Sequence, residues 1–376
     1  MKKLTTTYSF LLLLCMLLAA FIGGCEGNRN NERTDRDTVN EERETRPPAD
    51  PTDAIDQREP AEQSEHGMIA TGYIEFMSDM LYERVPFSYR EKKAALWIMN
   101  ELIAMGYDRD DIEMQEFHYS DVANWLWADL EDMLWMMYGG EVDIREYSQN
   151  VVLTVPGQSE QTIIVGAHYD TVLYPGASDN ASGTALLLES AYRMLGQDHY
   201  HTIVYVFFGA EEIGLLGAYY YYESLTERQR DNIALMINAD VLLEGEYLVY
   251  GAGYMPRGQL SSNDTSRQVS EIAQEVRDTH GIEIATFQDA IGMPSDQLVF
   301  LHNGHTVVFL VGVDLQPEDG FWGMRLAIYG DYVMTGRVFH SEDDCFHFIN
   351  ENWPGKIERA MWTFSILLEE MLLARY

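Results

Sequence analysis

The adjacent glutamates Glu211 and Glu212 are the feature of this chain that most directly indicates chemistry. They follow an apolar run, 203–208, that is typical of a buried strand. Two neighbouring carboxylates at the end of such a strand repel each other and lose hydration unless a positive group compensates them. A bound metal ion is the simplest compensation, and the preceding segment His168-Tyr169-Asp170 offers further metal-type side chains.

Three further residues with metal-type side chains lie in loops or at the end of an apolar run. Asp179 lies in a loop of small residues that enters a helix, Asp240 follows an apolar run, and His340 lies in a polar segment. Each residue alone is more simply a helix cap or a solvated side chain. Their joint occurrence carries the inference, because binding sites in open α/β sheets are built outside the carboxyl ends of the strands.

The elements that must position these residues alternate between apolar strands and helices. Strands are predicted at 150–155, 161–167, 202–208, 234–239 and 306–311, and helices at 89–105, 182–195 and 356–374. This alternation predicts an α/β fold with a mostly parallel central sheet and helices on both of its faces. His168 and Asp170, two residues apart at a strand end, share a face, so Asp170 is placed to orient the His168 ring through its second nitrogen.

Taken together, these motifs resemble the M28 family of zinc aminopeptidases. The matching segments are His168-Tyr169-Asp170-Thr171, 176–183, 209–217, Asn238-Ala239-Asp240 and His340, and 292–296 is similar to a Ser-Asp segment of the family. The resemblance covers about residues 68–376 and implies the zinc-exopeptidase (phosphorylase/hydrolase-like) fold.

The family resemblance also implies two zinc ions, with cobalt or manganese as other metals that suit the same ligands. It assigns five ligands: His168 and Asp240 on one ion, Glu212 and His340 on the other, and Asp179 between both. Glu211 would act as the general base on a water that bridges the ions. Asp170 would be a catalytic-site residue that does not bind metal itself and orients the ligand His168.

The implied activity is that of an exopeptidase that hydrolyses N-terminal residues from peptides with a free N-terminus. Three alternatives remain open: a glutaminyl cyclase-type aminoacyltransferase that uses one zinc ion on a related fold, a non-catalytic binding protein on this fold, and a carboxypeptidase. A carboxypeptidase would prefer a cationic pocket for the substrate carboxylate, and basic residues near the motifs are few. Retention of both His168 and Asp240 favours the peptidase over the cyclase. Loss of ligands would indicate a binding protein, and none of the five is lost.

Two positions depart from the family pattern. Phe339 stands where a tyrosine often precedes the last histidine, and phenylalanine cannot donate a hydrogen bond to a developing oxyanion. Two alternatives are open: the metals supply this stabilisation alone, or the hydroxyl of Tyr329 or Tyr332 replaces that of the missing tyrosine. Gln297 stands where a histidine is frequent, which alters the local chemistry of the pocket.

The N-terminus has the pattern of a bacterial lipoprotein signal. Lys2 and Lys3 precede an apolar run, 10–22, that is too short to span a bilayer comfortably, and Gly23-Gly24-Cys25 resembles a lipobox. The prediction is a signal peptide at 1–24, a lipidated Cys25, and an extracytoplasmic protein anchored to the bacterial cell membrane. An uncleaved membrane anchor is the alternative.

Composition divides the rest of the chain and limits its partners. Residues 25–66 are rich in charged and polar residues and predict a disordered acidic tether, whereas 67–376 are predicted to form the catalytic domain. The formal net charge of −36 argues against nucleic acid as a partner. The Trp- and Met-rich stretch 125–138 is expected to pack on the domain, with a mobile lid or a membrane contact as alternatives, and the sequence does not indicate an oligomeric state.

Overall fold

The computed structural model describes residues 65–122, 145–313, 338 and 340–376. Several predictions concern residues outside these ranges: the signal segment 1–24, Cys25, tether residues 25–64, the stretch 125–138, Tyr329, Tyr332 and Phe339. None of the helices within the described ranges has the length and hydropathy that crossing a bilayer requires.

A mixed eight-stranded sheet forms the centre of the described fold. Its strands are β1 (Ile112–His118), β2 (Tyr147–Val155), β3 (Ser159–His168), β4 (His201–Phe208), β5 (Ile233–Ala239), β6 (Tyr247–Gly253), β7 (Ala285–Thr286) and β8 (Val307–Val313). They lie in the order β1-β2-β4-β3-β5-β8-β6-β7. The four central strands β4, β3, β5 and β8 are parallel to one another, whereas the β1-β2, β2-β4 and β6-β8 pairs are antiparallel. The predicted α/β class is therefore confirmed, with antiparallel strands added on both sides of the parallel centre.

The described α-helices follow the strands or precede the sheet. They are α1 (Met68–Met80), α2 (Tyr89–Met105), α3 (Tyr119–Val122), α4 (Ser182–Met194), α5 (Leu216–Ser224), α6 (Glu227–Asp231), α7 (Asp264–His280), α8 (Gln297–His302), α9 (Phe346–Asn352) and α10 (Lys356–Leu373). A single π-type turn, Ala177–Ala181, leads into α4. Helix α2 has the predicted bounds: the Ser88 hydroxyl caps its first turn, and Gly106, with φ 118°, ends it.

Both faces of the sheet are covered, as predicted. Successive strand residues point to opposite faces, and β4 shows this directly. Phe207 packs into the core that the sheet shares with α1, α2, α4 and α10. Its neighbour Phe208 contacts Tyr221 of α5, with ring centroids 6.1 Å apart. Central strands such as β8 can therefore be apolar along their whole length, because neither of their faces meets water.

Candidate metal centre

The predicted site residues lie together at the carboxyl edge of the central strands. His168 is the last residue of β3 and lies in register with Phe208, the last residue of β4. Glu211 and Glu212 follow β4, and Asp240 follows β5, which pairs with the other side of β3. Parallel strands that end side by side thus bring residues far apart in sequence to one place.

Asp179 lies between the two histidines, with one carboxylate oxygen directed at each. Its Oδ1 is 3.1 Å from His168 Nε2, and its Oδ2 is 3.0 Å from His340 Nε2. His168 Nε2 is also 3.1 Å from Asp240 Oδ1, and His340 Nε2 is 3.1 Å from Glu212 Oε2. The five residues therefore form two groups that share Asp179.

These side chains fit metal ions by donor type and by spacing. The potential ligand atoms of His168, Asp179 and Glu212 lie within 4.8 Å of one another, and so do those of His168, Glu211 and Asp240. Imidazole nitrogens mixed with carboxylate oxygens are a donor set that zinc uses. The side chains of His168, Asp179, Glu212 and Asp240 are at most 7% exposed, whereas that of His340 is 38% exposed. The cluster thus opens to solvent on the His340 side.

The burial of several carboxylates in one place shifts their protonation. Burial raises the pKa of Glu211 well above its ordinary value, and the carboxylates of Asp296 and Asp240 raise it further against the opposing effect of His168. Burial and Asp179 likewise raise the pKa of Glu212. Burial disfavours a charged imidazole, but Asp240 leads the nearby carboxylates that raise the pKa of His168 well above its ordinary value. Without cations to compensate the carboxylates, Glu211, Glu212 and His168 therefore hold their protons to higher pH than they would in water.

Asp170 contacts both His168 and the backbone of the two adjacent glutamates. Its Oδ1 accepts a hydrogen bond from the Glu211 backbone N–H, and its Oδ2 accepts one from that of Glu212, both at 3.1 Å. Nδ1 of His168 lies 3.2 Å from the Asp170 backbone oxygen and 3.5 Å from its carboxylate. The sequence predicted only a contact with the ring. The structure adds that Asp170 fixes the peptide groups that carry the two glutamates.

Asp344 is a residue of the site that the sequence analysis missed. It is buried, and its two oxygens accept hydrogen bonds from the backbone N–H groups of Ser178 at 2.6 Å and Asp179 at 3.1 Å. It therefore holds the loop that presents Asp179 between the histidines. The one available signal was its position four residues after His340 in an acidic segment, which reads equally well as a solvated surface.

Arg84 is a buried cation behind the site, and no sequence motif marked it. Its guanidinium donates hydrogen bonds to five backbone carbonyls: those of Tyr169, Met77, Leu81, Pro175 and Gly176. Burial lowers the pKa of Arg84 to about 10, against the raising effect of Asp344, Asp170, Asp179 and Glu212. Arg84 thus joins the end of α1 to the loop that follows β3 while placing a positive charge near the acids.

Asp296, the second residue of the family-like Ser-Asp pair, and the following Gln297 have different surroundings. The Gln297 side chain accepts a hydrogen bond from Asn238 Nδ2 at 2.9 Å and donates one to the Met293 carbonyl at 2.7 Å, so it braces β5. Both carboxylate oxygens of Asp296 are buried and lack hydrogen-bond partners among the described residues. Burial raises its pKa well above its ordinary value.

Residues 150–365, more than half of the chain, match the profile of peptidase family M28. The chain belongs to this family. The family prediction, and with it the prediction of a zinc metallopeptidase family, is therefore confirmed.

Individual relatives agree with this membership. A probable lipoprotein aminopeptidase, LpqL, from Mycobacterium tuberculosis is 41% identical over 98 residues, which are 25% of this chain and 20% of that protein. The chain thus matches only a fifth to two fifths of the length of the first curated relatives.

Two solved structures share the fold. BSAP, a zinc aminopeptidase from Bacillus subtilis, gives a TM-score of 0.59 at 18% identity, over 83% of this chain and 96% of that one. A glutaminyl cyclase from Tannerella forsythia gives 0.54 at 17% identity, over 83% and 100%. At these identities the two structures indicate the fold, and they do not decide between their activities.

Proposed function

We propose that this M28 protein is a two-zinc aminopeptidase that removes N-terminal residues from peptides. The observation that carries the proposal is the position of Asp179, with one oxygen directed at His168 and the other at His340. A carboxylate shared by two imidazole-carboxylate groups is suited to bridge two ions. His168 and Asp240 would hold one ion, and Glu212 and His340 the other.

The residues around the ions have separable tasks. Zinc held here would polarise the scissile carbonyl and lower the pKa of water. Glu211, whose carboxylate groups with His168 and Asp240, takes the proton from the attacking water and returns it to the leaving amine. A general base must accept a proton and release it again within one catalytic cycle, and a carboxylate can do both. The surrounding carboxylates attract the protonated amine of a free N-terminus.

The glutaminyl cyclase alternative differs in its need for metal. One zinc ion suffices for the cyclase, whereas this site offers His168 and Asp240 as ligands for a second, 3.1 Å apart. This pair favours the peptidase.

Metal removal and replacement test the proposal. Chelation should abolish hydrolysis of aminoacyl reporter substrates, and zinc should restore it with two ions per chain. Peptides with a blocked N-terminus should be inert, and glutaminyl peptides should not cyclise. Activity that is indifferent to chelator, or cyclisation supported by one ion, would overturn the proposal.

A pair of glutamate variants tests the general base. Glu211→Gln should bind near-normal zinc yet lose turnover by about 10²-fold or more, because general-base catalysis contributes about 10²–10⁴-fold. Glu246→Gln, at an exposed position, is the matched control and should keep wild-type kcat. Retention of kcat in Glu211→Gln would exclude Glu211 as the base.

We further propose that Cys25 is lipidated and holds the enzyme outside the cytoplasm at the bacterial cell membrane. The lipobox-like segment supports this, and so does the similarity to LpqL, a probable lipoprotein aminopeptidase. Cys25→Ser should move the protein out of the membrane fraction, whereas Cys345→Ser should not. Unchanged fractionation of Cys25→Ser would contradict lipidation at that residue.

A further inference from the structure

Glu91 is a fully buried carboxylate that the proposed mechanism does not use. It lies in the first turn of α2 and accepts three hydrogen bonds. Its Oε2 accepts one from the Phe87 backbone N–H at 2.8 Å, and its Oε1 accepts one from the Ser148 hydroxyl at 2.7 Å and one from the Ala210 backbone N–H at 3.0 Å. Glu91 therefore connects the start of a helix to the residue directly before Glu211.

The contact with Ala210 completes a series of hydrogen bonds along residues 209–212, the catalytic turn of the proposed mechanism. The N–H groups of three consecutive residues are each held by a carboxylate oxygen: that of Ala210 by Glu91, and those of Glu211 and Glu212 by Asp170. Ala210 has φ 55°, a conformation that costs free energy for a residue with a side chain. A turn of this kind needs outside contacts to persist, and Glu91 supplies the first of them.

Strand β2 provides the surface on which the turn rests. Ser148, Gln149 and Asn150 form a run of fully buried polar residues near the start of this strand. Ser148 donates to Glu91, while Asn150 accepts from the Gly209 N–H at 3.1 Å and donates to the Gly217 carbonyl at 2.9 Å. A side chain at Gly209 would meet the Gln149 carbonyl oxygen at 2.5 Å, so the turn lies directly against the strand.

We propose that Glu91 is a positioning residue for Glu211. By holding the Ala210 N–H against β2, it fixes the direction in which the following residue presents its carboxylate. The role depends on the reach of the side chain and on an oxygen at Oε1, not on negative charge. The proposal rests on the proposed function, because it assumes that Glu211 moves the proton.

Two variants separate reach from charge. Glu91→Gln keeps the length and an oxygen for Ala210 and Ser148, and its amide nitrogen replaces the acceptor only at the Phe87 N–H, on the helix side of the contact. Glu91→Asp keeps the charge but is too short to span Phe87 and Ala210 together. Glu91→Asp should lower kcat about 10- to 100-fold with KM within about threefold, since small misplacements of a reacting group have effects of this size. Glu91→Gln should retain most of kcat. The Ala210 amide should exchange its hydrogen faster in Glu91→Asp than in Glu91→Gln.

Ser88→Ala is the matched control for damage to the helix. The Ser88 hydroxyl accepts the Glu91 backbone N–H at 3.1 Å, so its loss weakens the same turn of α2 without touching Ala210. This variant should keep wild-type kcat and wild-type exchange at Ala210. If Glu91→Asp does not fold, Ser148→Ala replaces it, with a several-fold loss of kcat expected.

The outcomes discriminate clearly. The proposal would be overturned if Glu91→Asp had the same kcat and the same hydrogen exchange at Ala210 as Ser88→Ala. It would also be overturned if Glu91→Gln lowered kcat while Glu91→Asp did not. If the wild-type protein hydrolyses no peptide, the proposed function fails. Hydrogen exchange at Ala210 in the two Glu91 variants still tests the contact in that case.

Discussion

Asp344→Asn should destabilise the loop that carries Asp179 and weaken zinc binding. The carboxylate accepts two buried backbone N–H groups, and asparagine can accept only one of them, because its amide nitrogen would face the other donor. A hydrogen bond to a charged group contributes about 1.5–3 kcal/mol, and a buried donor left unpaired costs about 1–3 kcal/mol. Loss of a negative charge beside Asp179 and Glu244 offsets part of this. The expected net loss is about 2 kcal/mol in the free energy of unfolding.

Asp343→Asn is the matched control, because Asp343 is the exposed neighbour of Asp344. Urea unfolding of both variants measures stability, and zinc titration followed by activity measures the site. Asp344→Asn should bind zinc about 10- to 100-fold more weakly, as is common for residues that orient ligands. Asp343→Asn should match the wild type to within about 0.5 kcal/mol. Equal stability and equal zinc affinity in the two variants would refute the reasoning.

Two further predictions concern charge. Arg84→Lys should lose about 2–4 kcal/mol of stability in urea unfolding, because the three donors of lysine cannot serve five carbonyls. Arg90→Lys, at an exposed arginine, is the control. Equal stabilities of the two variants would contradict the role of Arg84. In metal-free protein, the stabilising contribution of the cluster should fall as pH rises above about 4.5. The raised pKa values of Glu211, Glu212, His168 and His340 mean that the folded cluster binds more protons than the unfolded chain, whereas the lowered pKa values of His201, His302 and His305 act in the opposite direction. Unfolding of chelated protein across this range measures the slope; zinc should flatten or reverse it, and metal-free stability that increases with pH would contradict the prediction.

The sequence could predict the site because its residues lie at the ends of apolar strands. His168 ends such a strand, and the glutamate pair and Asp240 each follow one; strands buried on both faces are recognisable as short apolar runs. Once the runs are taken as parallel neighbours, the side chains that follow them must meet at one edge. The assignment of Asp179 and His340 to this site depended on the family resemblance, because a loop and a polar segment have no comparable periodicity.

The antiparallel additions to the sheet were harder to predict. Strand β1 is mostly half-exposed, and only Ile112 and Phe117 are buried, which matches neither a buried run nor a clean alternation. Residues of β2 such as Ser148 are polar although they are buried, because their partners lie on α2 and on the catalytic turn. Their role becomes visible only when those distant segments are in place.

The side chains that hold the site in place bind backbone groups, and these contacts could not be predicted from the sequence. Glu91, Asp170 and Asp344 each bind backbone N–H groups, and Arg84 binds backbone carbonyls, so their partners carry no side-chain signature. Amide groups partly compensate the charge of the acids that bind them. One oxygen each of Asp179, Asp240 and Glu212 instead contacts only an imidazole among the described residues. Arg84 is directed at carbonyls behind the cluster and neutralises none of these oxygens by direct contact. The remaining negative charge must be balanced by ions or protons at the open side, so zinc binding and folding stability of this domain should be linked.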